Sequence, residues 1–289
     1  MKKIRYVLLN PTGNLTGLVL DPVSPEDRPR ITEALMKGCE QVGYLQPAGQ
    51  SGAAARLQMM GGEFCGNASM AAAAWLAQEG DSADQGERNL LLEVSGAEGT
   101  VSCRVCREKE GWRGTAAMPL PREIRSVSLQ GRKLQAVFFP GMVHLIPEGP
   151  GLERQEAEML LRRAGETLGE PAAGLLQWRT DPPPEKGPGA ETDGLPGDAG
   201  RGPEELRGEM TPLVWVRDSG TCVWETACGS GTAAVASLES AKRRRGLRVS
   251  VRQPGGTLQA RTEWEGNRIQ RLLLSGSIRL GREQLLILP

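Results

Sequence analysis

Hydrophobic residues recur in short runs along this chain, and turn residues separate the runs. Such runs predict β-strands with at least one buried face. The turn at Pro11–Asn14 separates the first two runs and indicates an opening hairpin. The predicted strands are 4–9, 17–20, 90–95, 99–106, 112–118, 124–130, 133–139, 247–252, 257–263, 269–275 and 284–288.

Helical spacing of apolar residues appears at two places outside these strands. One predicted helix starts near Pro25 or Pro29, with a hydrophobic face of Ile31, Leu35, Cys39 and Val42. Cys39 belongs to that face and is predicted to be a buried structural thiol. The second predicted helix spans about 152–168, with Ala157, Leu160, Leu161, Ala164 and Leu168 on one side.

Two further segments, 63–76 and 225–238, resemble each other and each carries a cysteine at a predicted helix start. Both read Cys-Gly, then small or polar residues, then an alanine-rich helical run. Cys65 and Cys228 are 163 positions apart, which is about the size of one domain. The pattern predicts a duplicated architecture with a boundary near Pro119, giving halves of about 1–118 and 119–274.

Composition breaks sharply at 181–208, where proline, glycine and charged residues replace large apolar ones. A segment of this kind cannot bury enough apolar surface to order itself, and we interpret it as a flexible insertion in the second half.

The chain has 289 residues and 39% hydrophobic residues, and 35 basic side chains balance 35 acidic ones. This balance argues against a nucleic-acid partner or a charged membrane surface. The first apolar run stops at Asn10, too early for an export signal, and no apolar stretch reaches the length of a bilayer span. We therefore expect six reduced cysteines and a cytoplasmic protein.

Cysteines at helix starts have a specific chemistry. The free backbone N–H groups and the positive end of the helix dipole stabilise a thiolate, which predicts lowered thiol pKa values for Cys65 and Cys228. The N–H groups of Gly66, Asn67, Gly229 and Ser230 can hold a substrate carboxylate. One thiolate on each face of a substrate would allow proton removal and return at Cα without any cofactor.

Two other interpretations remain open. Each cysteine could be a small buried hydrophobic residue, or the pair could form a disulfide in a thiol-based redox sensor or binding protein. A metal site is not expected, because Cys103 and Cys106 should point to opposite faces of a strand and the chain has one histidine.

The chain resembles the diaminopimelate epimerases, which are cofactor-independent two-cysteine enzymes. The matching pieces are Asn14 in the first turn, Glu63–Asn67, Pro140–His144, Ala227–Gly231 and Ser275-Gly276. The resemblance implies an α/β fold of two pseudo-symmetric halves, each a curved, mostly antiparallel sheet around a central helix. It also implies that the last strand, at about 275–289, returns to the first half.

Two departures from that family affect the substrate. The Glu-Arg-Gly stretch of diaminopimelate epimerases corresponds to 218–221, which lacks the arginine, and their Asn-Ala-Asp-Gly-Ser segment corresponds to 57–62. A second ammonium and carboxylate would lose their partners there. The motifs Asn10–Asn14, Met60–Asn67 and Trp224–Cys228 are more similar to the histidine racemases of opine-metallophore pathways.

The resemblance implies that Asn14, Asn67 and Ser230 bind the amino-acid head of a substrate. Glu225 or Glu63 would meet its amino group or imidazole, and His144 would position the substrate or a loop. Histidine is the expected substrate, while diaminopimelate, proline or an unsaturated acid remain alternatives. The only partners expected are this small molecule and a second copy in a homodimer.

Overall fold

A computed structural model describes residues 2–80, 86–182, 204–217 and 220–288. Within these ranges the protein is a mixed α/β fold with sixteen strands and four α-helices. The helices are α1 (Arg28–Leu35), α2 (Gly66–Glu79), α3 (Arg154–Leu168) and α4 (Gly229–Arg243). The strands are β1 (Lys2–Pro11), β2 (Thr16–Val19), β3 (Gln41–Gln46), β4 (Ala55–Met59), β5 (Arg88–Val94), β6 (Thr100–Glu108), β7 (Gly111–Ala117), β8 (Glu123–Leu129), β9 (Arg132–Phe139), β10 (Met142–Pro147), β11 (Ala172–Thr180), β12 (Glu204–Val216), β13 (Thr221–Trp224), β14 (Leu247–Gln253), β15 (Gly256–Glu265) and β16 (Arg268–Leu288).

The strands form one large sheet in the order β1 to β7, then β16, β15, β14, β12, β11, β10, β9 and β8. The long strand β16 also pairs with β1, so β1–β7 and β16 close into a ring, and α2 packs against five of these strands. Most neighbouring strands are antiparallel, as the family resemblance implied. The parallel pairs β2–β3, β4–β5, β10–β11 and β12–β14 each span a connection that contains one helix, since parallel strands need a long crossover.

The helices α2 and α4 lie in the protein interior. Nearly every residue of α2 from Gly66 to Trp75 is buried, and the run Ala71–Ala74 has no exposed surface. Alanines keep the helix thin, so strands can pack closely on all its sides. The helix α4 is buried in the same way against β14, β15 and β16 and against β9 to β11.

Every strand predicted from the sequence is present, but six others were missed, namely β3, β4, β10, β11, β12 and β13. The predicted strands 269–275 and 284–288 are parts of the single strand β16, because the stretch between them pairs with β7 and with β1. The predicted first helix ends at Leu35, so Val42 lies in β3 instead. Cys39 is buried as predicted, and its Sγ donates to the Leu35 carbonyl oxygen at 3.2 Å.

The predicted insertion 181–208 is shorter than the composition indicated. Residues 204–208 are the start of β12 and pair in parallel with β14, where Glu204 lies opposite Leu247. Backbone hydrogen bonds to β14 order this polar end of the strand, which its own side chains could not do. Residues 183–203 of the insertion lie outside the described residues. Among the described helices, none is long and apolar enough to cross a membrane.

Candidate active site

Both cysteines lie at helix starts, as the duplicated motif predicted. Cys65 is the N-cap residue of α2, and its Sγ accepts the Ala68 N–H at 3.4 Å. Cys228 is the N-cap residue of α4, and its Sγ accepts the Gly231 N–H at 3.4 Å. The cysteine side chain thus takes the place of the usual serine or aspartate cap, which explains why each helix begins at the following glycine.

The two helix starts meet at one backbone carbonyl, that of Ala227. The Nδ2 atoms of Asn67 and Asn14 donate to this oxygen at 3.1 and 3.2 Å, which places a residue of α2 and the first turn against the start of α4. Both asparagines are buried, and the Oδ1 atom of each has no hydrogen-bond partner within the described residues. Two unpaired acceptors therefore lie beside Cys228.

Gly66 and Gly229 are the first residues of α2 and α4 and both lie against Leu274 of β16. A Cβ on Gly66 would lie 2.6 Å from Met118 Sδ, and one on Gly229 would lie 2.8 Å from Leu274 Cδ2 and 3.2 Å from Asn67 Oδ1. The absence of side chains at both positions therefore lets the two helix starts approach the same strand.

Cys65 contacts a residue that the sequence did not single out. Its Sγ donates to Gln41 Oε1 at 3.3 Å, and Gln41 Nε2 in turn donates to Thr16 Oγ1 at 2.8 Å. Gln41 is the first residue of β3, a strand that was itself missed, and no local motif marks it.

Cys228 is held by three groups besides the helix N-terminus. Its N–H donates to Gln253 Oε1 at 2.7 Å, and Gln253 Nε2 donates to Thr232 Oγ1 at 2.9 Å. Its Sγ lies 3.5 Å from Ser230 Oγ and makes a hydrogen bond with the Glu225 carboxyl group. Gln253 was also missed, although it comes directly before the turn Pro254-Gly255, which is a recognisable signal.

The expected lowering of the thiol pKa values is wrong for this conformation. Burial raises the pKa of the Cys65 thiol to about 11, and the charges of Glu63 and Glu225 add to the rise. Burial and the adjacent Glu225 carboxylate raise the pKa of the Cys228 thiol well above its ordinary value. The hydrogen bonds from the helix N–H groups do lower both thiol pKa values, as predicted. Their effect is smaller than the rise caused by removing a thiolate from water.

The charged groups that face the thiols and Glu225 are carboxylates, namely Glu40, Glu63 and Glu225 itself. Burial raises the pKa of Glu225 to about 7. Glu40 accepts a hydrogen bond from Thr226 Oγ1 at 2.9 Å, which links the residue before β3 to the loop before Cys228. The site is therefore rich in proton acceptors and negative charge.

His144 lies on β10 and has no exposed surface. Its Nε2 is 2.9 Å from Ser230 Oγ, and Phe139 packs edge-on against the ring. Burial lowers the pKa of the imidazole to about 3, so the ring is neutral at physiological pH. The structure therefore brings His144, Ser230 and Cys228 together.

We expect this histidine to make the fold sensitive to acid. The folded chain keeps His144 neutral down to about pH 3, whereas the unfolded chain takes up a proton near pH 6.5. Below pH 6 the stability should therefore fall by up to about 1.4 kcal/mol per pH unit because of this residue. Urea unfolding of the wild type and of His144→Gln between pH 4 and pH 7 would measure the difference. The same dependence of the unfolding free energy on pH in the two proteins would contradict this prediction.

The remaining cysteines do not join the site. Cys103 is buried in β6, and Cys106 is half-buried on the other side of that strand. Across the described ranges, no group of three His, Cys, Asp or Glu side chains is arranged to hold a metal ion.

Comparison with known proteins gives consistent matches. Residues 3–183 and 204–283 match the family model of the histidine racemase CntK N-terminal domain. A histidine racemase of Fusobacterium nucleatum subsp. nucleatum is 27% identical over 264 residues, covering 88% of this chain and 87% of that protein. A histidine racemase of Staphylococcus aureus (strain Mu50) is 26% identical over 265 residues, covering 88% and 87%.

Solved structures share the fold at lower sequence identity. A hydroxyproline epimerase from Agrobacterium vitis, with bound trans-4-hydroxy-L-proline, is 14% identical with a TM-score of 0.68 over 99% of this chain and 91% of that chain. A probable proline racemase from Agrobacterium radiobacter K84 is 13% identical with a TM-score of 0.69 over 99% and 93%. Because the family model covers most of its residues, the chain belongs to the family of the histidine racemase CntK N-terminal domain.

Proposed function

We propose that this protein is a cofactor-independent histidine racemase in which Cys65 and Cys228 are the two catalytic residues. The observation that carries the proposal is that two cysteines cap two buried helices whose starts meet at the Ala227 carbonyl. The match to a histidine racemase family over most of the chain supports the substrate.

The amino-acid head of the substrate would bind between the two helix starts. The unpaired Oδ1 atoms of Asn14 and Asn67 are acceptors of the kind that an α-ammonium group needs. The first N–H groups of each helix, at Gly66, Asn67, Gly229 and Ser230, have no partner within their own helix and suit the α-carboxylate. These donors would also stabilise the negative charge that develops when the Cα proton leaves.

The reaction needs one thiolate and one thiol at a time. A bound α-ammonium supplies a positive charge that the described side chains around the thiols do not provide, and so lowers the pKa of the nearby thiols. Cys228 passes its proton to the Glu225 carboxylate, the resulting thiolate removes the Cα proton, and the Cys65 thiol delivers its proton to the opposite face. The reverse reaction exchanges the roles of the two sulfurs, with no net gain or loss of protons.

The charge of the site favours histidine over diaminopimelate. A second substrate carboxylate would face Glu40, Glu63 and Glu225, whereas an imidazole N–H can donate to one of them. The family's arginine position falls at 218–221, where residues 218 and 219 lie outside the described residues. We expect Cα exchange of histidine to be at least about tenfold faster than that of diaminopimelate, a difference of only ~1.4 kcal/mol. Equal kcat/KM values for the two would contradict the assignment.

The order of the connections supports a duplicated fold of two pseudo-symmetric halves. In the first half the strand pairs are antiparallel (β1–β2), parallel (β2–β3), antiparallel (β3–β4), parallel across α2 (β4–β5) and then twice antiparallel (β5–β6 and β6–β7). The second half repeats this order with β9–β10, β10–β11, β11–β12, β12–β14 across α4, β14–β15 and β15–β16. We assign 1–118 with 275–289 to one half and 119–274 to the other.

We further propose a homodimer, a role in metallophore synthesis, and a reducing compartment such as the cytoplasm, which keeps both thiols free.

Deuterium incorporation tests the function directly. The purified protein, treated with a reductant and given no pyridoxal phosphate, is incubated with L-histidine in D₂O, and Cα exchange and D-histidine are followed by NMR and chiral chromatography. Exchange with racemisation is the expected result. A redox sensor would show neither, and exchange confined to proline or an unsaturated acid would point to another isomerase of this fold.

A further inference from the structure

The imidazole of His144 is a buried polar group to which the proposed reaction gives no direct part. Its Nε2 contacts Ser230 Oγ at 2.9 Å, while its Nδ1 has no hydrogen-bond partner within the described residues. Gly174 of β11 lies opposite His144 in the parallel pair, and a Cβ there would be 2.3 Å from Nδ1. The fold therefore leaves room for the ring, but offers a partner to one nitrogen only.

This arrangement fixes which nitrogen of the neutral ring carries the hydrogen. A hydrogen on Nδ1 would be a buried donor with no acceptor, which folded proteins avoid more strictly than an unused acceptor. A hydrogen on Nε2 instead has Ser230 Oγ as its acceptor. His144 is therefore assigned as the donor to Ser230.

The Ser230 hydroxyl is then free to donate its own hydrogen, and two sulfur atoms are within reach. Cys228 Sγ lies at 3.5 Å and Met142 Sδ at 3.7 Å. A thiolate is a stronger acceptor than a thioether, because charged acceptors form the stronger hydrogen bonds. The hydroxyl therefore turns to Cys228 when that sulfur loses its proton.

We propose that His144 is a positioning residue that orients the Ser230 hydroxyl towards Cys228 Sγ and thereby stabilises the Cys228 thiolate. The inference rests on the proposed function, in which this thiolate is one of two bases. His144 itself neither gains nor loses a proton. The histidine, the serine and the cysteine lie on β10 and at the start of α4, so the contact survives any opening between the two halves.

Cys65 provides an internal comparison, because its Sγ contacts Gln41 and not a serine held by histidine. The charged group that faces Cys228 is the Glu225 carboxylate, from the loop before α4, and it stays in place in every variant below. A change at His144 should therefore alter one thiol and leave the other unaffected.

The test measures thiolate reactivity without any substrate. In a Cys65→Ser background, the rate at which iodoacetamide alkylates Cys228 at pH 8 is followed by mass spectrometry of the Cys228 peptide. Adding His144→Phe, which keeps a ring but removes the donor, should slow alkylation about tenfold, the effect of losing one hydrogen bond to a charged group. His144→Gln keeps an N–H donor and should recover the rate to within about threefold.

The matched control uses a Cys228→Ser background, in which His144→Phe should leave the alkylation rate of Cys65 within about twofold. If His144→Phe does not fold, Ser230→Ala removes the same hydroxyl and should slow Cys228 to a similar extent. In the two-cysteine enzyme, His144→Phe should lower kcat about 10- to 100-fold while KM for histidine changes less than about threefold.

An unchanged Cys228 rate, equal slowing of both cysteines, or a Gln variant as slow as the Phe variant would overturn the proposal. If the wild type racemises no amino acid, the proposed function fails, whereas the alkylation rates still decide the role of His144.

Discussion

Replacing either Cys65 or Cys228 with serine should reduce histidine racemisation by at least about 1,000-fold. A serine hydroxyl is far less acidic than a thiol and cannot serve as the base, and each direction of the reaction needs both sulfurs in different protonation states. The fold should be preserved, because serine is a better helix N-cap than cysteine and can accept the same Ala68 or Gly231 N–H. Chiral chromatography of histidine and thermal unfolding of each variant measure the two effects.

Cys106→Ser is the matched control, since Cys106 is a half-buried cysteine of β6 outside the site. It should retain activity within about twofold. Near-normal racemisation by both Cys65→Ser and Cys228→Ser would show that the two-base interpretation is wrong.

Replacing Glu225 with glutamine should lower kcat/KM for histidine about 100-fold, the typical contribution of a general base. The carboxylate makes a hydrogen bond with the Cys228 thiol and is the proposed acceptor for its proton, whereas an amide cannot accept that proton. The pKa of Glu225 is raised to about 7, so wild-type activity should rise with pH through that value as the carboxylate forms. The variant should lack this ionisation in its pH–rate profile.

The same substitution should stabilise the fold in alkaline solution. The pKa of Glu225 is about 7 in the folded chain, against an ordinary value of 4.5, so a buried charge opposes folding above pH 7 and not below about pH 4.5. We expect Glu225→Gln to gain about 2 kcal/mol of unfolding free energy at pH 8 and little at pH 5. Glu123→Gln, on the exposed end of β8, is the control for both measurements. A pH–rate profile of the Gln variant that keeps the wild-type ionisation would exclude Glu225 as the proton acceptor.

The cysteine motifs could be predicted from the sequence because their signal is local and occurs twice. A helix start depends on a few consecutive residues, so Cys-Gly followed by alanines was enough to place both N-caps correctly. Local hydrophobic patterns likewise predicted the strands named above and the burial of Cys39. The resemblance to a family of racemases likewise rested on short segments that can be compared without any coordinates.

Contacts between distant residues could be decided only by the tertiary structure. Gln41 contacts Cys65 from 24 positions away and Gln253 contacts Cys228 from 25. No local motif marks Gln41, and the turn after Gln253 does not indicate that its side chain contacts Cys228. The polar residues 204–208 belong to a strand because β14 supplies hydrogen bonds that their own composition does not suggest. Likewise, 276–283 continues one strand because β7 and β1 lie on either side of it.

The thiol pKa values show most clearly the difference between what the sequence predicts and what the tertiary structure decides. The sequence places both cysteines at helix N-termini, and from this position alone a lowered pKa follows. Both thiol pKa values are instead raised, by burial first and then by the carboxylates of Glu63 and Glu225 near Cys65 and of Glu225 near Cys228. Burial and the position of these carboxylates both depend on how the chain packs. The sequence by itself thus identified the two candidate cysteines and where their helices begin. Only the tertiary structure decided how hydrated and how charged their surroundings are, because desolvation is a property of the packed interior and not of any segment.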